Sequence, residues 1–243
     1  MIRRRTPATK HLENKINICL LTIIFSLLIA IPVKSEEIVA RVNGEKITRE
    51  ELSERARVDH LFMTLRGAPI FANFLMETDR GQSVLNHYRG YVLDRIIEDT
   101  IIIQRAEEIG IDVSEAEIEK RLNGIIEATK DVGNREELLS DLQRDRRDLN
   151  DLKKEIYRRI IREKLRRKVV EEVEVSTEHI EEFYKENRKT FRDARDRIQP
   201  LEEVRDLIRE RLIGRKRSEV WRKWLKEIKK EADVTRYLNQ QGQ

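Results

Sequence analysis

The sequence predicts a mostly α-helical fold: a multi-helix module closed by a small two-stranded sheet that pairs the two ends of the mature chain. Three observations predict it. Apolar residues recur at three- and four-residue spacing over most of the second two thirds of the chain. Capping boxes and a terminating glycine punctuate those stretches. Two short segments with strand character stand at opposite ends of the mature chain, where neither is stable alone, so each is expected to find the other.

The N-terminus comes first. Arg3, Arg4, Arg5, Lys10 and Lys15 precede an almost wholly apolar run from Ile18 to Val33, and Val33-Lys34-Ser35 supplies small or modest side chains at the −3 and −1 positions before Glu36. Residues 1–35 therefore read as an export signal. The run is shorter than the ~20 residues of a spanning helix. An uncleaved anchor is the alternative reading, which the long basic lead keeps open. Cys19, the only cysteine, lies at the start of the run and argues against a lipoprotein. The mature chain would then have neither a disulfide nor a thiol nucleophile.

After the signal, 37–42 reads as a strand through Ile38, Val39 and Val42, and Asn43-Gly44 as a turn. Thr48 caps a helix with Glu51 at the third position, ending near Val58. Leu61 to Met76 gathers three of the six Phe and two of the three Met, interrupted by Gly67 and Pro69. A long helix is expected over 83–109. Leu85, Tyr88, Val92, Ile96, Ile103 and Ala106 form its core stripe, which Tyr91, Leu93, Ile97, Ile101 and Ile102 broaden. Gly110 ends it in a left-handed cap. Ser114 and Glu117 open a helix to about 128, and Asn134 with Glu137 opens another. Leu149, Leu152, Ile156, Ile160, Leu165 and Val169 mark a helix ending near Val173. Ser176-Thr177 starts the next, with Ile180, Phe183 and Tyr184 on one face. The charged stretch 187–199 reads as a linker. Pro200 opens the last helix, carrying Val204, Ile208, Leu212, Val220, Trp224 and Ile228, and 232–238 is the closing strand candidate. The domain reading is 36–243 as one helical domain, with 200–243 returning onto its N-terminal part.

Charged residues make up 40% of the chain, well above an average domain, yet 50 Lys+Arg against 46 Asp+Glu leave a net charge of only +4. Interspersed charge of this kind marks solvated helix faces and argues against nucleic acid as partner. His11, His60, His87 and His179 show no ligand spacing, and no phosphate loop, CxxC pair or nucleophile elbow is present. No catalytic residue, metal or cofactor is assigned.

Four blocks resemble the SurA-type and PrsA-type chaperone family in the family's order: VARVNGEKITREEL at 39–52, LDRIIEDTIIIQRAEEIGIDVSEAEI at 93–118, the helix pair 156–184 with VSTEHIEEFY at its end, and PLEEVRDLIRERL at 200–212 followed by DVTRY at 233–237. The resemblance implies one client-binding module made of the N-terminal helices and the returning C-terminal helix. It normally carries one or two inserted parvulin domains, each on the order of 90 residues. Here the insertion point falls between Asn187 and Pro200, which is too short for one, so no isomerase residue carries over.

The resemblance thus implies an ATP-independent, extracytoplasmic holdase for unfolded envelope or secreted proteins. The alternatives are an isomerase-family protein with residual or partner-supplied activity, and a membrane-tethered scaffold of an envelope complex. Leu61, Phe62, Met63, Ile70, Phe71, Phe74, Leu75 and Met76 are the candidate client-binding residues, because Phe, Met and Leu offer adaptable contact to varied partners. The same segment could instead fold back as core, the commoner fate of apolar runs. Trp221 and Trp224 are expected to pack against the N-terminal part. Membrane proximity and a homodimer are left open.

Overall fold

A computed structural model describes residues 36–128, 135–144 and 147–238. The signal reading of 1–35 and the Asn134 cap lie outside the described residues. The chain divides into 1–36 and 37–243, and the elements below belong to the second unit.

Strand β1 (Ile38–Val42) turns through Asn43 at φ 50° and Gly44 at φ 88° into β2 (Glu45–Thr48). Two successive positive φ values are what a two-residue hairpin turn needs, and Asn-Gly supplies them cheaply. The C-terminal strand β3 (Val234–Arg236) pairs antiparallel with the other edge of β1, Val42 opposite Val234 and Ala40 opposite Arg236. The order is β2-β1-β3. The ends of the chain do pair, but in a sheet of three strands, because the Asn43-Gly44 turn folds Glu45–Thr48 back onto β1 before the first helix begins. Tyr237 N–H adds a further bond to the Val39 carbonyl at 2.9 Å.

Helix α1 (Arg49–Ala56) starts as expected, the Thr48 hydroxyl accepting from Glu51 N–H. Arg57, left-handed at φ 48°, separates it from α2 (Val58–Thr64). A 3-10 turn at Leu65–Gly67 leads to α3 (Pro69–Glu77), with Pro69 in the first turn where its missing N–H costs nothing. The central helix α4 (Asp79–Glu108) begins four residues earlier than the sequence suggested. Thr78 caps it, accepting from Gly81 N–H at 3.0 Å. At its far end Gly110 is left-handed. Gly110 N–H bonds Glu107 O and Ile111 N–H bonds Ala106 O, closing the helix in a Schellman motif.

The Ser114–Glu117 box opens α5 (Glu115–Ala128), with bonds in both directions. Then come α6 (Arg135–Arg144), α7 (Leu149–Val169) under an Asp148/Asp151 box, α8 (Thr177–Asn187) and the 31-residue α9 (Leu201–Glu231). Helix α7 stops four residues before the expected Val173.

The expected linker 187–199 is instead a folded loop. Phe191 is buried, Asp193 accepts from the backbone of Arg195 and Arg197, and Gln199 N–H returns to Phe191 O. One apolar side chain among many charges was enough to anchor it.

The main core joins β1, α1, α4, α5, α7 and the second half of α9, which contributes Trp221 and Ile228. Trp224 lies partly buried against it, its ring 5.1 Å from Trp221. A smaller cluster of Ile180, Phe191, Val204 and Ile208 sits under α8. One helix thus serves two cores with different faces.

Candidate functional site

The apolar segment 61–76 becomes an arm rather than core. Helix α3 doubles back along the first turns of α4. The approach is close enough that a Cβ on Gly81 would lie 2.0 Å from the Phe74 carbonyl oxygen and 2.6 Å from Leu75 Cα. Only glycine fits there.

The carbonyls at the end of α3, which a helix leaves without partners, are taken up locally. Thr78 Oγ1 donates to Phe74 O at 2.7 Å, and Gln82 Nε2 donates to Met76 O at 2.7 Å and Leu75 O at 3.3 Å. Leu75 and Leu85 are buried at this corner, and neither belongs to the main core.

This corner holds α3 with its other side open. Ile70 is 87% exposed, Phe71 51% and Met76 47%, and Phe74 is exposed beside Phe71 with ring centroids 6.2 Å apart. Of the candidate residues, Ile70, Phe71, Phe74 and Met76 are the exposed ones on α3. Leu61, Phe62 and Met63 on α2 are half-buried. Leu75 is not one of the exposed residues: at 3% exposure it is the side chain that docks the arm.

Sequence reading missed Val84 and misassigned Tyr88 and Tyr91. All three are exposed along α4, with Tyr91 at 64%. Tyr88 and Tyr91 had been placed in the core by spacing. A tyrosine carries a polar tip as well as an apolar ring, and Tyr88 uses its hydroxyl to reach the Ala56 carbonyl at 2.9 Å.

Further along α4 a charge network ties four helices together. Arg162 of α7 donates to Glu98 at 3.0 Å and to Asp99 at 2.6 Å, both on α4. Arg55 of α1 reaches Asp99 at 2.7 Å, and Lys229 of α9 reaches Glu98 at 3.0 Å. Burial alone would raise both carboxyls. Lys229 and Arg162 beside Glu98, and Arg55 and Arg162 beside Asp99, hold them below the ordinary range instead.

A polar cleft of about 750 Å³ opens between α1, α2 and the start of α7. In it burial raises the Glu51 carboxyl and lowers the Arg158 guanidinium. It holds acids and bases side by side, and nothing in the sequence marked it, because its two walls lie about a hundred residues apart. Among the described residues no group of three His, Cys, Asp or Glu is placed to hold a metal ion. No helix among them is long and apolar enough to cross a membrane.

Residues 5–166 match the family described as the SurA-like N-terminal domain. The foldase protein PrsA of Clostridium botulinum is 23% identical over 160 residues, 65% of this chain and 47% of that protein. The PrsA foldase of Clostridium tetani is 27% identical over 195 residues, 75% of this chain and 57% of that one. The chain thus spans about half the length of the curated relatives it matches. Among solved structures, a chain from work on the virulence factor PEB4 and the periplasmic protein Cj1289, two SurA-like chaperones of Campylobacter jejuni, superimposes with a TM-score of 0.54 at 10% identity, covering 83% of this chain and 99% of that one. At that identity the likeness is one of fold.

Proposed function

Because the chain belongs to the SurA-like N-terminal domain family, we propose that it is an ATP-independent chaperone working outside the cytoplasm, which holds unfolded envelope or secreted polypeptides without isomerising them. The observation that carries this reading is the arm. Four large apolar side chains, Ile70, Phe71, Phe74 and Met76, stand open to solvent on a helix whose buried Leu75 and close backbone approach to Gly81 hold it against α4. Each such side chain returns about 1.5–3 kcal/mol on full burial. A few together give useful but reversible contact once the ordering of an unfolded client is subtracted. Unbranched Met and flat Phe rings fit many partners without requiring one geometry. Glu77, Asp79, Arg66 and Arg80 are exposed around the arm, a charged rim that keeps a loaded complex in solution.

The absence of isomerase chemistry is supported by the folded loop at 188–199, which occupies the place where the family's parvulin domains are expected. Export is supported by the basic lead and the apolar run of the first 35 residues.

The reading is tested by diluting a chemically unfolded model protein into buffer with a severalfold excess of this chain and no nucleotide. Light scattering should be suppressed, and refolding limited by proline isomerisation should not be accelerated. Full aggregation at that excess overturns the holdase reading.

A further inference from the structure

We propose that the middle of α9 and the end of α7 form an electropositive face that lies on an anionic phospholipid bilayer. Between Gly214 and Lys230 the sequence carries eight Lys or Arg and two Glu. That one stretch holds more net positive charge than the whole chain, whose net is +4, so the remainder is net negative and the charge is segregated. The last turn of α7 adds Arg166, Arg167 and Lys168. The two sets meet in space. Arg166 Nη2 lies 3.4 Å from Ser218 Oγ, and Lys216 Nζ donates to the Glu174 carbonyl, just past α7, at 2.8 Å.

Elsewhere in the fold many basic groups are matched by acids, among them Arg55, Arg121, Lys153, Arg162 and Arg236. Here Lys168, Lys229 and Lys230 are paired with Glu171, Glu98 and Glu227. Arg166, Arg167, Arg217, Arg222, Lys223 and Lys226 are exposed, and no carboxylate of the described residues lies within 4.0 Å of them.

Helical spacing places Arg222 and Lys226 on one surface with two further cations. Arg215, Arg222, Lys226 and Lys229 fall at i, i+7, i+11 and i+14, on one side of α9. Upstream, that same side carries Val204 and Ile208 into the small cluster under α8. Beyond Leu212 it is exposed, while Trp221 and Ile228 turn a different side into the main core.

A broad face on which most cations have no acidic partner suits an extended anionic surface better than a single ligand. The sequence favours a bilayer over a soluble polyanion. Only residues 34–37 separate the apolar run ending at Val33 from β1. A chain still held by that run cannot carry the start of β1 more than roughly 18 Å from the membrane.

The test uses the full chain carrying Cys19→Ser and Glu219→Cys, with a fluorophore on residue 219 and a quencher on the lipid headgroups. Quenching should be severalfold stronger in phosphatidylglycerol vesicles than in phosphatidylcholine vesicles, and should fade as salt shortens the reach of the charges. Arg215→Gln/Arg222→Gln/Lys226→Gln should lower the docking constant on the order of a hundredfold, bringing quenching down to the phosphatidylcholine level. The control Lys46→Gln/Lys120→Gln/Lys185→Gln should leave it unchanged. Equal quenching in both vesicles, an unchanged patch variant, or patch-dependent binding to poly-aspartate without docking on phosphatidylglycerol would each overturn the proposal. The readout does not involve the arm, so it stands or falls separately from the holdase reading.

Discussion

Asn43 and Asp233, 190 positions apart in the chain, exchange two hydrogen bonds of 2.8 Å: Asn43 N–H donates to the Asp233 carbonyl, and Asp233 N–H donates to Asn43 Oδ1. One side chain therefore shapes the β1–β2 turn and clasps the returning end of the chain. Asn43→Ala loses the side-chain acceptor and puts a Cβ-bearing residue without a local hydrogen bond at φ 50°. Its cost is about 2–3 kcal/mol, from the bond and the left-handed backbone together. Asn43→Gly relieves the backbone and costs about 1 kcal/mol. Urea midpoints of the two variants check the order.

Gly81→Ala tests how the arm is held. The added methyl meets backbone rather than a movable side chain, at 2.0 Å from Phe74 O, so α3 must lift from α4. Amide exchange over 69–77 should accelerate strongly, while 93–106 in the main core stays protected. Unchanged exchange in α3 would mean that the corner has more slack than its geometry implies.

Much of this architecture was legible in the sequence because the signals are local. Thr48 with Glu51, Ser114 with Glu117, and Gly110 each need only a few residues to act; the first two open a helix and the third closes one where expected. The pairing of the chain ends was legible because a short strand at either end needs a partner to be stable. The third strand was not, since Glu45–Thr48 has strand character only once β1 lies beside it. The start of α4 was missed because Thr78 and Gly81 look like a loop until α3 is seen docked against them. Tyr91 was assigned to core because spacing reports which residues share a side, not whether anything covers that side. The same gap left 61–76 undecided between arm and core: its exposure depends on what the rest of the chain fails to place over it.

Arg162→Met should destabilise the fold by about 2–3 kcal/mol, because it strips a charged hydrogen-bond donor from both Glu98 and Asp99. The pH dependence follows from the lowered carboxyls. Folded, Glu98 and Asp99 take up protons less readily than at their ordinary values of 4.5 and 3.8. Their contribution is complete above those values and is lost as pH falls through the lower folded ones. Glu117, held at about 2 by its hydrogen bond from Lys164, acts in the same direction. Thermal melts should fall steeply between about pH 4 and pH 2 in the parent, and less steeply in Arg162→Met.

Ile70→Ser/Phe71→Ser/Met76→Ser removes exposed apolar surface without opening a cavity, so its unfolding free energy should stay within about 1 kcal/mol of the parent. Suppression of client aggregation should nevertheless be largely lost. A variant that unfolds early would instead mark these side chains as structural.

Photo-crosslinking tests most directly whether the arm grips unfolded chains. A benzophenone amino acid is placed at Phe71 on the arm or at Leu207, an exposed apolar position on α9, and the protein is irradiated with a denatured client. Abundant adducts from position 71 and few from position 207 are predicted. Equal labelling from both, or labelling from 207 alone, would contradict the account.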